Sequence, residues 1–318
     1  MIRLAHVCLL LVFATASLST TVAATEAEQK SILITGASSG IGRHLAEALA
    51  ADGHHVYAGA RSDEDMASLN AIDNVTAVRL DVTKQEQIDA ALSMIEGSGT
   101  GLYALVNNAG IGDGGPVLDT PVAVQRLVYD VNVEGVYRVT KAFGPLVKAS
   151  KGRIAITGSI AGTLSWPGGS AYAGSKHWIE AFTDALAGEM APHGVSVSVI
   201  EPGNYQTQIR RSALARQQAR VLAAGGEMTD EMREAYANTE ARELSYKLPD
   251  EVTAAFRHAL FDESPLLRYM VVPSAEEQAM TIQTKLQQLI QLNQWGPHRY
   301  SDEALVALLQ QALAAENE

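Results

Sequence analysis

The sequence predicts an α/β fold: a doubly wound parallel sheet of about seven strands, followed by a C-terminal helical extension. Three observations predict it. From Lys30 onward, short apolar runs alternate with helix-length segments. Several of those runs are apolar throughout, as parallel strands covered on both faces require. The first run passes directly into a glycine-rich turn that opens a helix.

The elements follow in order. Strands are predicted at 31–35 (SILIT), 55–60 (HVYAGA), 76–80 (TAVRL), 103–107 (YALVN), 153–157 (RIAIT), 195–200 (VSVSVI) and 269–272 (YMVV). Helix-length segments such as 42–52 and 122–150 separate them. The first strand runs into Thr35, Gly36, Ala37, Ser38, Ser39, Gly40, Ile41 and Gly42. Such a turn lets backbone amides approach a pyrophosphate at the positive end of a helix. Its spacing is Gly-x-x-x-Gly-x-Gly, not Gly-x-Gly-x-x-Gly; the alternative reading is a tight strand–helix turn that binds nothing.

The second strand ends at Ala60 and Arg61. In folds of this kind that end meets the adenosine ribose, where an acid favours NAD. A guanidinium there pairs with a 2′-phosphate instead, so the expected cofactor is NADP, with NAD as the alternative. Asp63, Glu64 and Asp65 follow closely and would oppose the phosphate if they turned inward. The third strand ends at Leu80, Asp81 and Val82. Asp81 either accepts a bond from an adenine amino group or caps the helix that begins near Thr83. The fourth ends in Asn107, Asn108, Ala109 and Gly110, and Asn132 sits inside the helix that follows, where asparagine is mildly unfavourable.

The chemistry is concentrated between Gly158 and Lys176, in GSIAGTLSWPGGSAYAGSK. Tyr172 and Lys176, four positions apart, share one face of a helix. Ser159 closes the apolar run before them. A phenol with a pKa near ~10 transfers protons poorly at neutral pH, and a nearby ammonium lowers that pKa. A hydroxyl beside the phenol holds a substrate oxygen. Together the three side chains suit acid–base catalysis at a carbon bearing oxygen.

Composition excludes other classes. The 318 residues carry a net charge of −12, which argues against nucleic acid as a partner. Cys8 is the only cysteine, so neither an intrachain disulfide nor a thiolate metal site is available. The eight histidines are scattered without ligand spacing, so no metal is expected.

The residues in 35–42, 107–110 and 172–176, with Asn132, Ser159, Pro202 and Gly203, resemble the short-chain dehydrogenases/reductases in order and spacing, over about 30–273. The stretches GLYALVNNAG (101–110), VSVIEPGNYQTQ (197–208) and 257–273 are similar to the retinol, hydroxysteroid and 3-hydroxybutyrate dehydrogenase branch. The resemblance implies a Rossmann-like single domain that binds NAD(H) or NADP(H), and a catalytic tetrad of Asn132, Ser159, Tyr172 and Lys176. It implies hydride transfer between the nicotinamide and an alcohol or carbonyl substrate. Lys176 would lower the Tyr172 pKa and bond the nicotinamide ribose, Ser159 would hold the substrate oxygen, and Asn132 would seat a water. Pro202, Gly203 and Thr207 would line the carboxamide. The branch suggests lipophilic alcohols or ketones, retinoid- or steroid-like, or hydroxy acids.

Residues 207–248 are long and mostly helix-forming, with Gly225 and Gly226 in the middle. The resemblance implies a lid that excludes water from the substrate, and Ile209, Leu214, Val221 and Leu222 offer it an apolar wall. Residues 274–318 form the extension. Ile282, Leu286, Leu289 and Ile290 make an amphipathic row, as do Leu305, Leu308, Leu309 and Ala312. They are expected to pack on the domain or on a second subunit, so a homo-oligomer is expected. Residues 1–24, with the apolar VCLLLVF and Val22-Ala23-Ala24, read as a secretory signal peptide or an N-terminal membrane anchor. Either the protein is exported, or it is anchored through that segment, its only expected membrane contact. Two other readings stand beside the oxidoreductase. One is a catalytically silent nucleotide-binding protein, which the intact tetrad disfavours. The other is a nucleotide-sugar epimerase or dehydratase, whose usual Gly-x-x-Gly-x-x-Gly turn is absent.

Overall fold

The computed structural model describes residues 29–315. The signal-peptide or anchor reading of 1–24, with Cys8, lies outside the described residues.

Seven strands form one sheet, all paired in parallel: β1 (Ser31–Ile34), β2 (His55–Ala60), β3 (Val75–Arg79), β4 (Ala104–Asn107), β5 (Arg153–Thr157), β6 (Ser196–Pro202) and β7 (Arg268–Val271). Their spatial order is β3-β2-β1-β4-β5-β6-β7. Each apolar run predicted as a strand is one, with ends moved by one or two residues. The order reverses between β1 and β4, and a crevice opens at such a switch point, beyond the carboxyl ends of the strands.

Helices cover both faces. On one side α1 (Gly40–Ala51), α2 (Asp63–Asn70) and α9 (Asp250–Phe261) bury Leu45, Leu49, Leu69, Val252 and Phe256 against Ile32, Ile34, Val56 and Ile200. On the other, α3 (Gln85–Gly97), α5 (Val136–Ala149) and α6 (Ser170–Met190) bury Ile88, Ile95, Val139, Phe143 and Ile179 against Leu33, Leu105, Ile154 and Val199. The double burial explains why the strands read as unbroken apolar runs.

Two long helical segments break where local chemistry requires it. Residues 122–150 form α4 (Val122–Tyr129), a π-helical turn (Asp130–Gly135) and α5, so Asn132 sits in a widened turn rather than a regular helix. Widened turns of this kind are common at functional sites. Residues 207–248 become α7 (Ile209–Ala223) and α8 (Asp230–Leu244), parted at Gly225, whose φ of +81° suits glycine.

The extension comprises α10 (Ala275–Asn293) and α11 (Asp302–Ala315). Of the two expectations for its apolar rows, packing on the domain is not met. Ile282, Leu286, Leu289 and Ile290 are all exposed, and no residue of α11 is buried. Polar groups attach α10 instead. Glu277 accepts bonds from the backbone N–H and side-chain amide of Asn204, and Gln288 donates to the Thr163 carbonyl at 3.1 Å. No described helix is long and apolar enough to cross a membrane.

Phe256 is fully buried between α1 and the sheet. Phe256→Ala is expected to cost about 3–5 kcal/mol, read as a lower urea midpoint with an unchanged m-value.

Candidate active site

The carboxyl ends of β1, β4, β5 and β6 open into a cleft of about 1090 Å³. Its floor is tied together by one network. The Thr35 hydroxyl accepts bonds from the N–H groups of Asn108 and Ala109, both 3.0 Å. The Asn108 side-chain amide donates to the carbonyls of Thr35 (3.0 Å) and Gly36 (3.1 Å). Its carbonyl oxygen accepts from the Thr157 hydroxyl at 3.1 Å. The glycine turn after β1, the end of β4 and the end of β5 are therefore locked to one another.

The turn itself requires glycine. At Gly36, φ is +64° and a Cβ would stand 2.8 Å from the Ala109 Cα. Gly40 has φ +55° and faces Thr207 across the cleft. The α1 N-cap, Ser39, makes no side-chain capping bond, and no acid lies in the first turn. The first amides of α1 are thus left for an anion to satisfy. A dinucleotide pyrophosphate fits that position.

The other wall comes from α6. The expected lowering of the Tyr172 pKa by Lys176 is not met: burial pushes the phenol above its ordinary range, and the groups that pull it back are the neighbouring Ser159 hydroxyl and the charge of Arg210. Lys176 is 6% exposed and donates to the Thr157 carbonyl at 2.7 Å. Its Nζ lies 5.8 Å from the centre of the Tyr172 ring. Burial lowers its pKa to about 8, against the opposing pull of Glu180. Trp166 flanks Tyr172, with ring centres 6.4 Å apart.

Most sequence-predicted residues meet here. Gly36, Ser38, Ser39, Gly40, Ile41, Arg61, Asp81, Val82, Asn108, Ala109 and Gly110 line the cleft, as do Ser159, Tyr172, Lys176, Pro202, Gly203 and Thr207. Gly42 and Asn132 do not. Gly42 is buried beneath the turn, where a Cβ would collide with the Asn108 amide. Asn132 is 2% exposed, and its side chain is spent on protein partners. It accepts from the Ile111 N–H (2.8 Å) and donates to the Ile111 carbonyl (2.9 Å) and the Ser175 hydroxyl (3.0 Å). It pins the loop after β4 to α6.

At the adenosine end, Arg61 has no acid within ion-pair distance among the described residues. Asp63 is taken by Arg79, and Asp65 accepts from the Ser62 hydroxyl at 2.6 Å. These acids, with Glu64, form the first turn of α2 and do not line the cleft. Asp81 does not cap α3, whose N-cap is Lys84. One carboxylate oxygen holds the N–H (2.9 Å) and hydroxyl (2.7 Å) of Thr83, while the residue also lines the cleft.

Some participants were not singled out from the sequence. Thr157 and Ser175 looked like ordinary strand and helix residues, and only their partners reveal them. Asp113 is 8% exposed and ties α7 to the loop after β4. Arg220 bonds both its oxygens (2.8 and 3.0 Å), Arg216 approaches at 3.4 Å, and Arg216 also donates to the Gly112 carbonyl at 2.5 Å. Burial pushes the Asp113 carboxyl up, but the bonds from Arg220 and Gly114 and the two arginine charges outweigh it and hold it below the usual range. Two arginines at i and i+4 of a predicted helix were the available signal; their distant acid was not.

Comparison with known proteins agrees with this geometry. The model of the family described as short chain dehydrogenase matches residues 30–241. The mitochondrial D-beta-hydroxybutyrate dehydrogenase of Bos taurus is 36% identical over 264 residues, covering 76% of each chain. Retinol dehydrogenase 16 of Rattus norvegicus is 37% identical over 214 residues, covering 66% of this chain and 67% of its own. Among solved structures, a short chain dehydrogenase/reductase from Burkholderia phymatum in complex with NAD superposes with a TM-score of 0.71. It is 26% identical and covers 85% of this chain and 97% of its own.

Proposed function

The chain belongs to the short-chain dehydrogenase/reductase family, and from that premise we propose that it interconverts an alcohol and a carbonyl compound with NADP, with NAD as the alternative. The observation that carries this reading is the convergence of Ser159, Tyr172 and Lys176 on one wall of the cleft, opposite the uncapped start of α1.

The nicotinamide, when bound, supplies or accepts the hydride. The chain's own residues handle the proton and the geometry. Ser159 holds the substrate oxygen beside Tyr172. The raised phenol is neutral near pH 7, the proton-carrying form that reduction of a carbonyl needs. When Tyr172 gives that proton to a carbonyl, the Lys176 ammonium supports the charge left on the phenol oxygen; for alcohol oxidation the phenolate, supported by the same ammonium, takes the hydroxyl proton. Lys176 also faces the ribose position. Asn132 acts as a positioning residue, holding Ile111 and Ser175 in register. Helices α7 and α8, latched through Asp113, close the substrate side from water.

Arg61 supports NADP, because its guanidinium lines the cleft with no competing acid. Leu164, Trp166, Ile209, Leu214 and Met280 line the substrate side and support a lipophilic substrate body. Arg210 lines the same side without a carboxylate in ion-pair distance among the described residues, which supports a hydroxy acid over a neutral retinoid- or steroid-like alcohol. The exposed rows of α10 and α11 support assembly into a homo-oligomer. We also retain residues 1–24 as an export signal or membrane anchor, residues 30–273 as the catalytic domain and 274–318 as its extension.

The test is a panel of lipophilic alcohols, ketones and their acid-bearing analogues with each cofactor, followed by the reduced-nicotinamide absorbance. Tyr172→Phe is expected to lower kcat about 10²–10⁴-fold while NADPH affinity stays within about 2-fold; turnover at the parent rate would refute the role. Arg61→Asp is expected to move the NADP-to-NAD ratio of kcat/KM toward NAD by about 10-fold or more, the worth of a charge-assisted bond. Mass spectrometry of the purified N-terminus is expected to find a start after Ala24, and a start at Met1 would exclude cleavage.

A further inference from the structure

Behind Lys176, on the same helix, lies a second cluster of ionisable groups that the chemistry above does not use. Glu180 stands one turn beyond Lys176 on α6. Glu201 stands on β6, just before Pro202 and Gly203. Side chains of a strand alternate, and Val197 and Val199 face the α6 side of the sheet, so Glu201 faces α6 as well. It is 7% exposed.

The two carboxyl groups meet at the base of α6. Glu180 Oε1 is buried and has no hydrogen-bond donor among the described residues. It packs against backbone that has no side chains to offer: a Cβ on Gly162 would lie 2.8 Å from that oxygen and one on Gly158 3.4 Å. The cationic groups reach the pair only in part. Arg268 of β7 bonds Glu180 Oε2 at 3.1 Å and Asp184 at 2.6 Å, but stands 4.0 Å from Glu201 Oε1. Lys285 of α10 acts on Glu201 only through its charge. Buried Glu201 and half-buried Glu180, against one guanidinium that Asp184 also shares, leave an excess negative charge and an orphaned oxygen. A single proton on Glu201, donated to Glu180 Oε1, removes both defects.

We propose that Glu180 and Glu201 share a proton and, as positioning residues, hold Lys176 in its ammonium form from behind the active site. Burial and the proximity of Glu180, by charge and by hydrogen bond, push the Glu201 carboxyl up to about 7, and the charges of Arg268 and Lys285 only partly oppose this. The Glu180 charge in turn raises the pKa of Lys176 against the burial that lowers it. The charged groups facing the pair are Lys176 and Asp184 from α6, Arg268 from β7 and Lys285 from α10; the loop after β5 contributes only Gly158 and Gly162. When the shared proton leaves, the pair carries one more negative charge, and Lys176 is held charged more strongly. The device thus supports the ammonium at the pH where burial would begin to strip its proton.

This role rests on the catalytic reading of Lys176, so the test reads the lysine directly. The Lys176 side-chain nitrogen is followed by NMR across pH in ¹⁵N-lysine-labelled protein, assigned by its loss in Lys176→Met. Glu180→Gln is expected to lower the Lys176 pKa by half a unit or more, and an unmoved titration overturns the proposal. In the parent protein, infrared titration is expected to show a protonated carboxyl at neutral pH that disappears above about 7. Glu201→Gln is expected to remove that band, and its persistence, or its absence from the parent, overturns the shared proton.

The sign of the stability effect is fixed too. The folded pKa of Glu201 is raised, so stability is lost as pH rises from its ordinary value through about 7. Glu201→Gln is therefore expected to gain stability over the parent as pH increases from 5 to 8, a gain that reads the pair even if Glu180→Gln does not fold. On any substrate turned over, the pH 8 to pH 6 rate ratio of Glu180→Gln is expected to fall about 2-fold with the KM for NADPH unchanged, the change in ammonium fraction that half a unit makes near a pKa of about 8. A protein with no turnover on any substrate would refute the oxidoreductase reading while the NMR and infrared arms still judge the pair.

Discussion

The cleft is built around one unfavourable act, the burial of the Lys176 ammonium. Its pKa near 8 instead of the ordinary 10.5 corresponds to roughly 3 kcal/mol against the charged form. That cost is present below about pH 8 and is relieved as pH rises toward the ordinary value. The structure tolerates it because the carbonyl of Thr157 receives the ammonium at 2.7 Å, at the end of a central strand. The end of β4 and the glycine turn are tied to the strand that provides that carbonyl.

The positioning runs through hydrogen bonds at the floor of the cleft. Thr157 gives its carbonyl to Lys176 and its hydroxyl to Asn108, and Asn108 gives its amide to the carbonyls of the glycine turn. The anion-binding start of α1 and the ammonium on α6 are thus separated by a short series of hydrogen bonds. Asn132 does the same on the other side, joining the loop after β4 to Ser175. The proposed alignment of a phenol, a hydroxyl and a cofactor would gain from such rigidity, because small displacements at reacting atoms are costly.

How much of this was legible depended on the range over which each signal acts. The strands were legible because burial on both faces leaves apolar runs such as SILI and RIAIT without alternation. The glycine turn and the Tyr172–Lys176 pair were legible because turn geometry and helix periodicity are local. Asn132 was noticed for its poor helix propensity, but the π-helical turn and its three bonds depend on Ile111 and Ser175, distant in sequence. Asp113 is one acid among many until α7 folds back to place Arg216 and Arg220 on it. The rows of α10 and α11 were correctly read as amphipathic, yet periodicity tells only that a face is apolar, not what covers it. Of the two covers expected, the domain is not the one, because Glu277 and Gln288 attach α10 by its polar side.

The spacing along α6 accounts for how catalytic and supporting charges coexist on one element. Tyr172, Lys176, Glu180 and Asp184 succeed one another at four-residue intervals. Each step advances about 6 Å along the helix and turns about 40° beyond a full circle. The row therefore starts at the cleft, passes under the end of β5, and leaves the sheet near β7, where Arg268 meets Glu180 and Asp184. Charge alternates less simply than the spacing: a neutral phenol, an ammonium, then two acids with an external arginine. An ammonium without the acid beyond it would feel burial alone, and an acid without the arginine would leave the row with excess negative charge. The order along the helix places the polarising groups far enough from the cleft to leave it shaped for substrate, yet close enough to act on its lysine.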